Sequence, residues 1–480
     1  MNILLINPLC RLPYLLPLGL GYIAGVMRQE GHNVRILDIN GNQYSQGEVE
    51  KILAELDYDI VGIGGLSSTY KYVKWLAGVI KEHKPLIKVI AGNLVSTAHP
   101  VLLLKNSMVD IAVIDEGELT FADLVRAIEK GKDLKDVKGI IYKDGEKIIE
   151  NPPRERIRDL DSLPFPAWDL FPMEVYLNHS TLSEVSFGLR GINVSSTRGC
   201  PYECTFCSHP FGRVVYSRSA QNLILEIKEL KKRYRVGFIN SSDDLFIMNQ
   251  PFVMEFCERL IAERMDIKWS VPGRVNLVNE TLLKKMRQAG CVEIGYGFES
   301  GSQVVLDKMK KRVEVQQAKE AIKMTRKAGI NIIGSFIIGM PGETEETIRE
   351  TLDFIKSTQL PIYRFFFSTP YPKTELYKIA KTMGRLPADE DKYMESLGEM
   401  RSTCLVNLTD FSDNELVRLK NWAEDQAKKD MSFGLKAKEF TETWRRRYII
   451  AREGFRLNGI APTVKMFYLN VLRKLRRKAI

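Results

Sequence analysis

From Met1 to about Asp144 the chain alternates short, continuously apolar runs with amphipathic stretches. The runs Asn2–Asn7, Asn33–Asp38, Asp59–Gly64, Lys88–Gly92 and Asp110–Ile114 predict strands of four to six residues. The intervening Leu18–Glu30, Gln46–Glu55, Tyr70–His83, Ala98–Lys105 and Leu119–Lys130 predict helices. Continuous apolar strands separated by helices imply a parallel sheet covered on both faces. Such a sheet binds ligands beyond the carboxyl ends of its strands.

Those ends are rich in small and polar residues: Pro17-Leu18-Gly19-Leu20, Ser67-Ser68-Thr69, Ala91-Gly92-Asn93 and Asp115-Glu116-Gly117-Glu118. They can face a ligand or merely turn the chain. No G-x-G-x-x-G follows the first strand, which weakens a dinucleotide reading. Residues 145–190 form a proline-rich linker whose run Leu163-Pro-Phe-Pro-Ala-Trp-Asp169 is expected to pack across the first domain.

Alternation returns over residues 191–372. Strands are expected at Ile192–Ser196, Val236–Asn240, Ile267–Ser270, Val292–Phe298, Asn331–Ile338 and Ile362–Ser368. Helices are expected at Ala220–Tyr234, Gln250–Glu263, Glu280–Ala289, Val313–Ala328 and Thr344–Ser357. The fold class is therefore α/β: a flavodoxin- or Rossmann-like doubly wound sheet over 1–144, the linker, then a partial (β/α)6 barrel with its chemistry at the carboxyl ends of the strands. A mostly helical region is expected over 373–480.

The 480 residues are 44% hydrophobic and 27% charged, which excludes collagen-like, low-complexity and wholly disordered chains. Seven cysteines are too few, and odd in number, for a secreted disulfide scaffold. Of the net charge of +10, nearly all sits in Thr441–Ile480, which holds eleven Lys/Arg against Glu442 and Glu453. A general nucleic-acid footprint is thereby disfavoured. The apolar start, Met1–Met27, lacks a basic leader region and is broken by Pro8, Pro13 and Pro17, so a cytoplasmic protein is expected.

Three cysteines lie within eight residues, Cys200-Pro-Tyr-Glu-Cys204-Thr-Phe-Cys207, just after the first barrel strand. Three thiolates on one short loop can hold three irons of a cubane and leave the fourth iron open. A zinc site completed by His209, or structural thiols without metal, are the alternatives.

C-x3-C-x2-C after the first strand of such a barrel, with Phe206 before the last cysteine, resembles the radical S-adenosylmethionine enzymes. The upstream domain resembles that of their cobalamin-binding subgroup, and the likeness as a whole covers residues 1 to about 372. The resemblance implies a [4Fe–4S] cluster on Cys200, Cys204 and Cys207, and S-adenosylmethionine at the strand ends. There it implies Phe206, Asp243 and Asp244 (toward the amino group), Arg274 (toward the carboxylate), Glu299 and Ser300 (ribose or substrate), and the loop from Gly339 to Pro341 (adenine). It further implies base-off cobalamin against Leu18, Gly19, Ser67, Ser68, Thr69, Gly92, Asn93, Glu116, Gly117 and Glu118. The D-x-H-x-x-G that would supply a histidine below cobalt is absent.

The implied activity is transfer of a methyl group from methylcobalamin to an unactivated carbon after hydrogen abstraction by a 5′-deoxyadenosyl radical. Ring-forming cyclisation and a non-catalytic sensor are the other readings. The implied partners are a small-molecule or lipid-like substrate and a reductant such as flavodoxin or ferredoxin. Finally, Thr463–Ile480 predicts a helix with Val464, Phe467, Tyr468, Val471 and Leu475 on one face and a crowd of Lys/Arg at its end. Such a helix can lie in a membrane interface or pack on the barrel.

Overall fold

The computed structural model describes residues 1–10, 15–178, 189–399 and 404–429. The helix expected over 463–480 lies outside them. The first sheet has seven strands: β1 (Asn2–Asn7), β2 (Asn33–Asp38), β3 (Ile60–Gly64), β4 (Lys88–Gly92), β5 (Ile111–Val113), β6 (Ile140–Asp144) and β7 (Lys147–Glu150). Their order is β2-β1-β3-β4-β5-β6-β7, with the first five parallel, as five βα units dictate. The last two are an antiparallel hairpin that extends the edge. The boundary expected at residue 144 therefore falls inside the sheet. Its missed signal is Asp144-Gly145, where Gly145 sits at φ +59° and turns the chain directly back.

The helix expected at Ala98–Lys105 is two short ones, Leu94–Ala98 and Pro100–Lys105, because Pro100 cannot continue the first. The linker crosses the helix Leu18–Gln29 on its glycine face. An added Cβ at Gly21 would lie 2.8 Å from Pro166 and one at Gly25 2.9 Å from the Phe165 carbonyl. Ala167 donates to Gly21 O at 3.0 Å, and Trp168 is 1% exposed. Besides β7, the linker contains a helix, Met173–Asn178.

The second sheet is all parallel. It comprises β8 (Gly191–Val194), β11 (Phe238–Ser241), β12 (Lys268–Gly273), β13 (Cys291–Glu299), β14 (Asn331–Ile338) and β15 (Tyr363–Phe367), in that spatial order. Between β8 and β11 a two-residue ladder, β9 (Thr197–Arg198) with β10 (Tyr216–Ser217), pins the cysteine loop. The aromatic layer Phe298, Phe336, Phe354 and Phe365 packs this sheet on its outer helices. Opposite it, half-buried Gly295, Gly297 and Ser335 leave the inner face open.

After the barrel come Glu375–Thr382, Glu390–Ser396 and Asp413–Lys429. The middle helix reaches back to the first domain: Tyr70 OH donates to Asp391 at 2.6 Å and Lys74 pairs with Glu395 at 2.8 Å. No helix among the described residues is long and apolar enough to cross a membrane.

Candidate functional site

A cavity of about 400 Å3 lies where the carboxyl ends of the two sheets meet. It is lined by Leu5, Gly62, Gly64 and Ile90 deep in the first sheet, and by Asn193, Ser195, Arg198, Phe211 and Ser242 from the barrel. Leu18, Gly19, Thr69, Gly92, Asn93, Glu116, Gly117 and Glu118 line it too. Ser67 and Ser68 instead line a neighbouring cavity of about 190 Å3, whose far wall is His209 and Lys373.

At Gly19 and Gly92 an added Cβ would meet nothing within 4 Å, so ligand atoms can lie directly on the backbone there. The polar lining is mostly neutral amide and hydroxyl, from Asn7, Asn40, Asn93, Thr69 and Thr97. That lining suits a large, amide-fringed ligand whose tail enters the sheet. Cobalamin has this shape and chemistry. No histidine among the described residues lines the cavity.

Glu116 and Glu118 line the cavity with their carboxylates already paired. Arg198, two residues before Cys200, forks onto them: Nη1 reaches Glu116 Oε1 at 2.7 Å and Nη2 reaches Glu118 Oε1 at 2.6 Å. Glu116 also accepts from Ile157 N at 2.9 Å. The guanidinium lies 5.2 Å from the Phe211 ring and 5.6 Å from that of Tyr22. Burial alone would lower the Arg198 pKa, but the two carboxylates raise it, so the charge stays. A second tie joins the halves at Asn193, which donates to Leu16 O and accepts from Leu16 N, each at 3.0 Å.

On the cysteine loop Cys200 is half-buried, Cys204 buried and Cys207 exposed. The Cys207 thiol donates to Cys204, which with nearby Lys311 and Arg274 lowers the Cys204 pKa to about 6 against the effect of burial; Cys207 is pushed up in turn. Arg274 Nη1 is 3.7 Å from Cys204 Sγ, and the Lys311 ammonium lies 5.8 Å from the Phe206 ring. Two cations beside three thiols suit a group that is anionic when bound to thiolates. No three His, Cys, Asp or Glu side chains among the described residues are grouped to hold one metal ion, so the zinc alternative with His209 finds no preformed site. A cubane spreads its thiolates over three irons, and a loop of this length allows that.

The expected strand-end residues fare differently. Asp243 is not free to meet an ammonium: its Oδ1 accepts from Ser196 N at 2.6 Å, Thr197 N at 2.9 Å and Ser195 Oγ at 3.2 Å. It fixes the turn that leads into the cysteines. Asp244, half-buried, accepts from Gly199 N at 3.1 Å. Arg274 is held by the loop itself, stacked 3.5 Å over Tyr202 and donating to Asn276 Oδ1 and Lys311 O.

Glu299 pairs with Lys311 at 2.8 Å, both 9% exposed, while Ser300 Oγ bonds Thr351 on an outer helix at 3.1 Å. Ser300 therefore faces the helix layer. Gly339, at φ +99°, gives its N–H to Glu343 at 2.5 Å and its carbonyl accepts from Ser368 at 2.6 Å; Pro341 beside it is half-buried. Burial pushes the Glu343 pKa up to about 7. Sequence reasoning missed Arg198, Lys311 and Asn193. For Arg198 the signal was present, because two glutamates on one loop had no local cation.

Two family models match the chain: the Radical SAM superfamily over residues 194–355 and the B12 binding domain over residues 9–125. An uncharacterised methyltransferase of Pyrococcus horikoshii is 35% identical over 76% of this chain and 78% of its own. The anaerobic magnesium-protoporphyrin IX monomethyl ester cyclase of Rubrivivax gelatinosus is 30% identical over 75% of this chain and 66% of its own. Among solved structures, the cobalamin-dependent S-adenosylmethionine radical enzyme OxsB, with aqua-cobalamin and S-adenosylmethionine bound, superposes with a TM-score of 0.72 at 18% identity. That match covers 99% of this chain and 75% of OxsB.

Proposed function

We propose that this chain, which belongs to the cobalamin-dependent radical S-adenosylmethionine enzymes, transfers a methyl group to an unactivated carbon of a small-molecule substrate. Its cofactors are a [4Fe–4S] cluster, S-adenosylmethionine and cobalamin. When bound, cluster and S-adenosylmethionine supply the hydrogen-abstracting 5′-deoxyadenosyl radical, and cobalamin supplies the methyl group.

The chain's own residues position and shield. Cys200, Cys204 and Cys207 would ligate the cluster, with Arg274 and Lys311 offsetting its charge. Phe206, Asp244, Glu299, Gly339 and Pro341 remain candidates for S-adenosylmethionine, with Asp243 setting the turn beneath them. Gly19, Thr69, Gly92 and Asn93 would take cobalamin base-off, since no histidine among the described residues lines the cavity. The observation that carries the reading is the cavity of about 400 Å3 walled by both halves, which opens one space onto the first sheet's strand-end loops and the barrel's strand ends. The buried Arg198 clamp ties the two halves together at that seam.

The cyclase relative favours a second reading, ring formation with the same cofactors. Anaerobic reconstitution followed by product analysis separates them. Methyl transfer yields S-adenosylhomocysteine together with 5′-deoxyadenosine, cyclisation yields 5′-deoxyadenosine alone, and a sensor yields neither. The seven cysteines are unpaired, which supports a reducing, cytoplasmic setting. A lipid-like substrate met at a membrane would rest on residues 463–480, and sedimentation with anionic liposomes, with and without that segment, tests it.

A further inference from the structure

Radical chemistry of this kind needs one electron delivered to the cluster for each S-adenosylmethionine cleaved, so some surface must accept the donor. The cysteine loop has an outer side. Pro201 and Glu203 are exposed, and Tyr202 between them stacks on Arg274, whose Nη1 is 3.7 Å from Cys204 Sγ. Two stacked side chains therefore separate solvent from the Cys204 sulfur on this side, and Cys207 is itself exposed.

Three segments are hydrogen-bonded to this loop. Cys200 N donates to Gly212 O at 3.1 Å, Thr205 N to Met309 O at 3.0 Å, and Leu376 N to Thr205 O at 2.8 Å. The first brings exposed Arg213, the second Lys308, Lys310 and Arg312, the third Lys373 and Lys378. Against these six cations stand the loop's Glu203 and the segments' Asp307 and Glu375. Nearly all of the molecule's net positive charge lies beyond residue 440, so this excess on an otherwise nearly neutral body is local. Beside Arg213 is Val214, 60% exposed and apolar. Arg312 and Lys310 reach Glu203 and Glu375 only as solvent-exposed pairs, which a partner's carboxylates can exchange at little cost.

We propose that this cationic rim, centred on Arg213, Lys310 and Arg312, docks an acidic, low-potential one-electron carrier protein that reduces the cluster through the Tyr202–Arg274 side of the loop. The carrier loses one electron and the cluster gains it, from the 2+ to the 1+ state, with no bond made or broken. The proposal rests on the three cysteines holding the cluster. Charge of opposite sign around a small apolar spot raises the encounter rate, and salt screens that advantage.

The test is anaerobic stopped-flow bleaching of the reconstituted enzyme by reduced flavodoxin, with dithionite as the small reductant. At low ionic strength R213E/K310E/R312E should slow reduction by flavodoxin at least tenfold while leaving iron content and the dithionite rate within twofold. E203Q/E375Q should speed the flavodoxin reaction severalfold, and this arm decides the matter if the triple variant loses iron. An unchanged flavodoxin rate in both variants overturns the proposal. So does equal slowing by K319E/K323E, on a basic groove of the outer helices that does not touch the loop. A wild-type enzyme that dithionite cannot bleach refutes the cluster reading beneath it, and is told apart from the other outcomes by that arm alone.

Discussion

Replacing Arg198 by Met keeps the reach of the side chain and removes the guanidinium. Arg198, Glu116 and Glu118 are each between 5% and 7% exposed, so two carboxylates are stranded away from water. Removing one partner of a buried ion pair costs ~3–5 kcal/mol. Glu116 keeps its bond from Ile157 N, which places the expected loss near the middle of that range, ~4 kcal/mol. With ~2.1 cal/mol/K of unfolding entropy per residue over roughly 400 packed residues, the transition should fall by ~5 °C. The loss should also depend on pH. Stranded carboxylates hold protons more tightly in the folded than in the unfolded chain, so the folded state binds more protons and stability falls as pH rises. Calorimetry should find a larger deficit near about pH 8 than near about pH 5.5. R198M/E116Q/E118Q, which leaves no buried charge, should recover most of it. A drop under about 1 °C, or the same drop at both pH values, would mean that the clamp is not the buried charge network described.

Gly92→Val should fold normally, because nothing lies within 4 Å of the new Cβ, yet fill the cavity. Equilibrium dialysis should show cobalamin affinity lowered at least ~100-fold with the melting temperature unchanged. Glu343, raised from 4.5 to about 7 by burial, makes the wild type lose stability as pH climbs between those values. Glu343→Gln should remove that slope, gaining about 3 kcal/mol relative to wild type above neutrality, as urea titrations across pH would show. Any one of Cys200→Ala, Cys204→Ala or Cys207→Ala should abolish S-adenosylmethionine cleavage and lower iron content. Full iron and activity in the triple variant would refute the ligand set.

Strands and helices with strong apolar periodicity were legible before any coordinates, because each is buried on the face its pattern marks. β1, β2, β4 and β14 begin and end where the pattern puts them. The β6–β7 hairpin was missed because β6 is only a short apolar run, β7 on the sheet edge is nowhere fully buried, and both follow a run of parallel units. The cysteines, the cavity glycines and the strand-end loops were legible as types. Their partners were not. Asp243 looks like a ligand for a cation until Ser196 and Thr197, distant by more than forty residues, claim its oxygens. Glu116 and Glu118 look like unpaired carboxylates on one loop until a residue eighty positions later pairs with both. Spacing reports which side chains share a loop; it cannot report which far segment will fold over them.

The interior that begins at Ile3 and Leu20 in the first sheet continues without a break through Trp168 of the strap and Ile192 of the second sheet to Leu416 in the last described helix. An interior packed at crystal density yields little under load, so the spacing between the two cofactor sites is set when the chain folds and does not depend on one half swinging toward the other. The two halves should melt as one unit, in a single calorimetric peak. For recombination between relatives the corollary is restrictive. A graft of this first sheet onto another barrel would have to carry the strap and the matching faces of both partners with it, because the seam where one would cut is itself core.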